Sequence, residues 1–207
     1  RDFRARQPDV PVGLLVYEMV QTGQEPLATL RVPERSASTP NTGRPETPLG
    51  NREMILYFAT SDGRALAPES ASVEYTSSTV ENCRRAVEAL IAGPRDLLTR
   101  VVPPTTRLRA LYLRENGELV LDFSRELQGD AGRLRSAVYE SLFVYGVVNT
   151  VTQPALRTES DPNVRSVRFL IEGAPTTELF PAHLDLRDPV TPDPDWIVTA
   201  HERPVHG

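Results

Sequence analysis

Asp122-Phe123-Ser124 sets a carboxylate and a hydroxyl two residues apart at the end of an apolar run, a placement open to a serine nucleophile. Acyl transfer by serine also needs a base and an oxyanion hole, commonly on a Gly-x-Ser-x-Gly elbow. Neither stands near Ser124 in the sequence. Asp122 and Ser124 fall on the face opposite Leu121 and Phe123, so they are expected to end the strand or cap the next segment through hydrogen bonds. Of the three histidines, His183, His201 and His206, the last two with Asp193 or Asp195 are the residues from which a zinc site could be drawn. They lie in the C-terminal tail and lack the i, i+4 spacing that puts two ligands on one helix face.

Cys83 is the only cysteine, which excludes an intramolecular disulfide and a Cys-based metal centre. A nucleophilic thiol needs a basic neighbour and partial exposure. Arg84 and Arg85 adjoin Cys83 but point to other helix faces, so it is read as a small core residue. The acids Glu115, Glu118, Glu126, Asp130 and Glu140 are scattered, whereas a glycosidase needs two carboxylates across one cleft. All 23 basic residues are arginine, so Schiff-base chemistry and a P-loop lysine are excluded. A net charge of -5 argues against a nucleic-acid groove. No catalytic, cofactor-binding or metal-ligating residue is assigned, and no cofactor is expected.

Two polar sets remain. Asn149, Thr150, Thr152 and Gln153 end a helix that is otherwise apolar, and they are expected to hydrogen-bond the loop that follows. Arg107, Arg109, Arg114, Arg165 and Arg168 alternate with Glu115, Glu118 and Glu172 along strands. Such charges guard strand edges against uncontrolled pairing, or join neighbouring copies through Arg–carboxylate forks. The solvated-surface reading is preferred.

The element that must position all of these is the helix Leu134–Thr152. Leu134, Val138, Leu142, Tyr145 and Val148 form a stripe at helical spacing, flanked by Ala137, Val144 and Val151. From Leu142 to Val148 it is apolar almost all round, so it is expected to be covered on more than one side. Before it, Glu53–Ala59 reads as a strand internal to a sheet, Ser61–Arg64 as a turn, and Ser72–Tyr75 as a short strand. Ser78 and Glu81 form a capping box for a helix with Val80, Cys83, Val87, Leu90 and Ile91 on one face, closed by Gly93-Pro94. Arg107–Arg114 and Glu118–Phe123 are strands joined at Asn116-Gly117, a strong hairpin signal. After the loop Pro154–Asn163 comes the strand Val164–Glu172, ended by Gly173. The order β-β-α-β-β-α-β predicts an α+β two-layer sandwich, two helices packed on a single, mostly antiparallel sheet.

Hydrophobic content of 39% with 19 prolines suggests a compact middle and Pro-rich ends. Residues 1–51 are read as an irregular segment and linker, with candidate strands at Val12–Val20 and Ala28–Val32. Residues 52–190 are read as the domain, and 191–207 as a Pro/Asp-rich tail that wraps the domain or trails away. The chain starts at Arg1 without methionine, so a fragment or processed form is expected, with any signal peptide or anchor upstream.

Across 53–190 the motifs resemble the spore germination protein M (GerMN) domain. The matching stretches are Leu56-Tyr57-Phe58, Leu66-Ala67-Pro68-Glu69, Ala86–Pro94, Val120–Leu127, Asn149–Gln153 and Val167–Gly173. The family's Pro-x-Gly-Thr turn is replaced by Pro103-Pro104-Thr105-Thr106, and the loop after Gln153 is longer, departures that touch loops and not the core. The resemblance implies a fold similar to the ring-building modules of envelope-spanning assemblies and no catalytic residues. It also implies an extracytoplasmic domain, held to the membrane only by an upstream anchor, that binds envelope proteins or itself near peptidoglycan. The expected function is therefore a non-enzymatic structural or interaction domain. Its rival is a cell-wall ligand receptor or hydrolase with a pocket between helix and sheet.

Overall fold

The computed structural model describes residues 48–129, 136–176, 179–180 and 183–198, within the compact unit Pro45–Gly207. The expected strands at Val12–Val20 and Ala28–Val32 lie outside the described residues, as do Leu134, Asp130, His201 and His206.

The expected α+β order is found. Strands β1 (Asn51–Ala59) and β2 (Leu66–Glu74) precede helix α1 (Thr79–Ala92); β3 (Leu108–Leu113) and β4 (Glu118–Phe123) then lead through a short helix α2 (Glu126–Gly129) to α3 (Ala137–Val151). Strand β5 (Ser166–Ile171) follows, with three two-residue strands after it: β6 (Ala174–Pro175), β7 (Leu179–Phe180) and β8 (Leu184–Asp185). The strands do not form the single layer expected. They divide into a β1-β2 ladder, a four-stranded β3-β4-β5-β6 sheet and a small β7-β8 pair. Pairing is antiparallel except between β4 and β5. That pair is parallel because α3 carries the chain back across the sheet between them.

Strand β2 is longer than the four residues expected, since Leu66–Pro68 already pairs with β1. Pro68 lies opposite Tyr57, whose N–H bonds away from β2. The missing amide of Pro68 therefore faces outward, where an edge strand tolerates it. At Asn116-Gly117 the hairpin forms, with Gly117 at φ 83° and Arg114 N–H donating to Glu118 O. The Ser78 hydroxyl caps α1 by accepting from Glu81 N–H at 3.3 Å. Only half of the capping box is made, because the Glu81 carboxylate turns to Arg84 and Arg85.

Helix α1 buries Cys83, Ala86, Val87 and Leu90 and leaves its arginines outside. Helix α3 is buried nearly all round from Glu140 to Val151, which fulfils the expectation that it is covered on more than one side. Val138 departs from the expected stripe: it is 42% exposed, because apolar spacing continues past the stretch that is covered. Phe143 of α3 meets Phe123, Phe169 and Phe180 at centroid separations of 6.0, 5.7 and 5.4 Å, so one aromatic cluster ties the helix, the larger sheet and β7. The tail wraps as far as it is described. Trp196 stacks on Tyr145 at 5.4 Å, and Val198 N–H donates to Leu66 O.

Candidate functional site

The polar end of α3 does not bond the loop that follows, as the sequence suggested. Thr150 and Gln153 reach the outer edge of β1. The Thr150 hydroxyl accepts from Tyr57 N–H at 3.2 Å, while Gln153 accepts from Ile55 N–H at 2.9 Å and donates to Ile55 O at 2.8 Å. Ala59 completes that edge by exchanging both backbone bonds with Thr99. Helix α3 reaches the strand because residue 146 is glycine: a Cβ there would lie 3.1 Å from Tyr57 O and 3.1 Å from Val101 Cγ2. Asn149 instead clasps the tail, donating to Asp193 O at 2.9 Å and accepting from Asp193 N–H at 3.0 Å. Thr152 donates to Val148 O within its own helix. The four residues converge in sequence but serve three partners.

The other candidates are also occupied by structural tasks. The Ser124 hydroxyl accepts from Arg107 N–H at 3.0 Å and bonds Glu126, which holds the Glu126 carboxyl below its ordinary range. Asp122 accepts from Gly173 N–H at 2.8 Å and pairs with Arg109 at 3.3 Å. Both thus serve the strand end, as read from the sequence. Cys83 is buried with Sγ 3.8 Å from Val151 O. Burial, and then the Asp161 charge, push its thiol up to about 12, so thiolate chemistry near neutral pH is closed to it.

Of the scattered acids, Glu118 and Glu140 are buried and far from each other's work. Glu118 takes Arg168 at 2.6 Å and Arg114 at 3.1 Å. Glu140 accepts from His183 N–H at 3.0 Å, from Leu184 N–H at 2.8 Å, and meets His183 Nδ1 at 2.8 Å. Among the described residues, no group of three His, Cys, Asp or Glu side chains gathers as a metal site. Two acids that the sequence reading passed over act as caps. Glu69 accepts from Arg95 and Asp96 N–H beyond the end of α1, and Asp161 accepts from Thr79 N–H at its start.

A cleft of about 340 Å³ opens where the α1 start, the α3 end and the loop 154–165 meet. Val151, Leu156 and Val164 give it apolar walls, and Arg157, Asn163 and Arg165 are polar residues that line it. Arg165 was expected among the strand charges, and Arg157 and Asn163 belong to no motif in the sequence. Their signal was weak, one arginine and one asparagine in a Pro-bounded loop. Three of the other strand arginines are paired within the domain, Arg109 with Asp122 and Glu172, and Arg114 and Arg168 with Glu118.

Residues 55–177 match the Germane family, described as sporulation and spore germination. Among solved structures, the chain is similar to the tandem GerMN domains of the sporulation protein GerM from Bacillus subtilis. Identity is 18% and the TM-score 0.53, with 69% of this chain and 46% of that one covered. It is similar also to the first GerMN domain of the same protein, at 19% identity and a TM-score of 0.52, covering 68% of this chain and 97% of that domain. The chain thus spans under half the length of the tandem structure, and likeness at these identities carries the fold alone. No curated protein matches it.

Proposed function

The chain belongs to the Germane family of sporulation and spore-germination domains, and on that premise we propose that it is a non-enzymatic interaction domain of the cell envelope. In this reading an upstream anchor tethers it outside the cytoplasm, and its surface binds envelope proteins or a second copy of itself. Among the described residues, no helix is long and apolar enough to cross a membrane, so the proposal places the anchor elsewhere. One observation carries the reading. The side chains with reactive chemistry are spent on holding backbone: Ser124 on Arg107, Asp122 on Gly173, Glu140 on His183 and Leu184, Gln153 on Ile55.

The surface best suited to a partner is the outer face of the larger sheet, where Tyr112 is 45% exposed and Arg168 lies two strands across in the same register. Exposed tyrosine with arginine is the composition enriched at protein interfaces. A photo-crosslinking residue at Tyr112 is expected to yield a specific adduct in intact cells, and proteinase added outside protoplasts is expected to digest the chain. A chain sheltered from that proteinase, giving no adduct and scattering light as a monomer at every concentration, overturns the proposal.

A further inference from the structure

We propose that the cleft between the α1 start, the α3 end and the loop 154–165 binds a small apolar carboxylate, such as the C-terminal residue of a peptide. The volume, about 340 Å³, lies at the lower end of the range of small-molecule sites. The proposal goes beyond the interaction reading, which stands without it.

Charge is the first argument. Among the described residues, the guanidinium groups of Arg157 and Arg165 have no ion pair or hydrogen bond, unlike Arg109, Arg114 and Arg168. Both residues are exposed, and the exposed Asn163 amide is unpartnered too. Of the two acids in the loop, neither lines the cleft: Asp161 is committed to Thr79 N–H at 2.7 Å and the Thr158 hydroxyl at 3.0 Å, and Glu159 is exposed. The positive end of α1 and the negative end of α3 both reach the cleft and oppose each other, which leaves the two arginines to set its sign.

Preorganisation is the second. Arg157 O accepts from the Tyr75 hydroxyl at 2.8 Å, and Arg165 N–H donates to Gly117 O at 2.8 Å, so both backbones are fixed while their side-chain ends are free. Arg52 tightens the same loop, donating to Ala155 O at 3.1 Å and lying over the Tyr75 ring. Planar guanidinium forks match a carboxylate. The half-buried Val164 and the exposed Pro154, backed by the buried Val151 and Leu156, favour an apolar body behind it over a bare inorganic anion.

Titration of the full chain with N-acetyl-alanyl-leucine, followed by amide shifts, tests this against the C-terminal amide of the same dipeptide and against inorganic phosphate. The acid is expected to bind with Kd on the order of 1 mM or tighter, shifting Thr152, Asn163 and Val164, with the amide weaker by about tenfold. Arg157→Gln and Arg165→Gln are each expected to weaken the acid by about tenfold at unchanged melting temperature. Equal binding of acid and amide, binding of phosphate alone, shifts elsewhere, no binding, or indifference to both variants overturns the assignment. A crosslink at Tyr112 that persists through such a failure would leave the interaction reading intact.

Discussion

Strands β1 and β3 each end a ladder on one side, and the two edges are finished differently. The outer amides and carbonyls of β1 lie against α3, away from water. Each buried backbone group left unpaired there costs about 1–3 kcal/mol, so side chains take the place of a neighbouring strand: Gln153 and Thr150 bond Ile55 and Tyr57, and the Thr99 backbone bonds Ala59. Among the described residues no strand or side chain bonds the outer edge of β3. That edge carries a register shift between Leu108 and Ala110 and the arginines Arg107 and Arg109. A bulge and charge discourage pairing without supplying any. One edge is closed by bonds that stabilise the domain, and the other is left unpaired behind a bulge and charge.

Substitutions at the two edges should separate these roles. Gly146→Val drives branched carbons into Tyr57 O and Val101 and should cost about 3 kcal/mol in urea melts. Gly146→Ala should cost less, because helix propensity returns about 1 kcal/mol. If Gly146→Val melts as the parent does, the close approach does not hold the edge. Gln153→Leu removes an acceptor and a donor from Ile55 at once and should cost about 2 kcal/mol. Amide exchange should accelerate at Ile55 before it does at Tyr112, whose N–H faces β4.

The dry side also has a pH signature. The Cys83 thiol, raised from 9.0 to about 12, keeps its proton in the folded state after the unfolded thiol has lost it. Its contribution is whole below pH 9 and falls by about 1.4 kcal/mol per pH unit as pH climbs toward 12. The alkaline fall in stability between pH 9 and 10 should therefore be shallower by about that amount in Cys83→Ala; identical slopes would refute the buried thiol. At the open edge, Arg109→Thr should change stability by about 1 kcal/mol or less, since Arg109 is largely exposed and Asp122 keeps the Gly173 amide. Paired with Arg107→Thr, it should raise concentration-dependent association in light scattering.

Much of the fold was legible because its signals are local. Ser78 caps a helix three residues on, and Asn116-Gly117 turns a hairpin within its own neighbourhood. The apolar girdle of α3 announced a covered helix. The polar end of that helix was misread because its partners lie 93 and 98 residues away, beyond any periodicity. Asn149 and Gln153 look like one patch in the sequence, yet one faces the tail and the other the strand. Gly146 was a missed cue, since a glycine inside an apolar helix commonly marks a close approach. Arg157 and Asn163 gained meaning only when folding set them beside Arg165.

One consequence follows from how the chain reaches and leaves β2. Leu49 N–H bonds Tyr75 O just beyond one end of this strand, and Val198 N–H bonds Leu66 O at the other. Nine residue steps of extended chain set these points about 30 Å apart. Tension applied between the preceding and following segments would run lengthwise along the hairpin. Its rungs, lying crosswise to the pull, would share the strain only while the Val198–Leu66 bond and the stack of Trp196 on Tyr145, which take the load first, still hold.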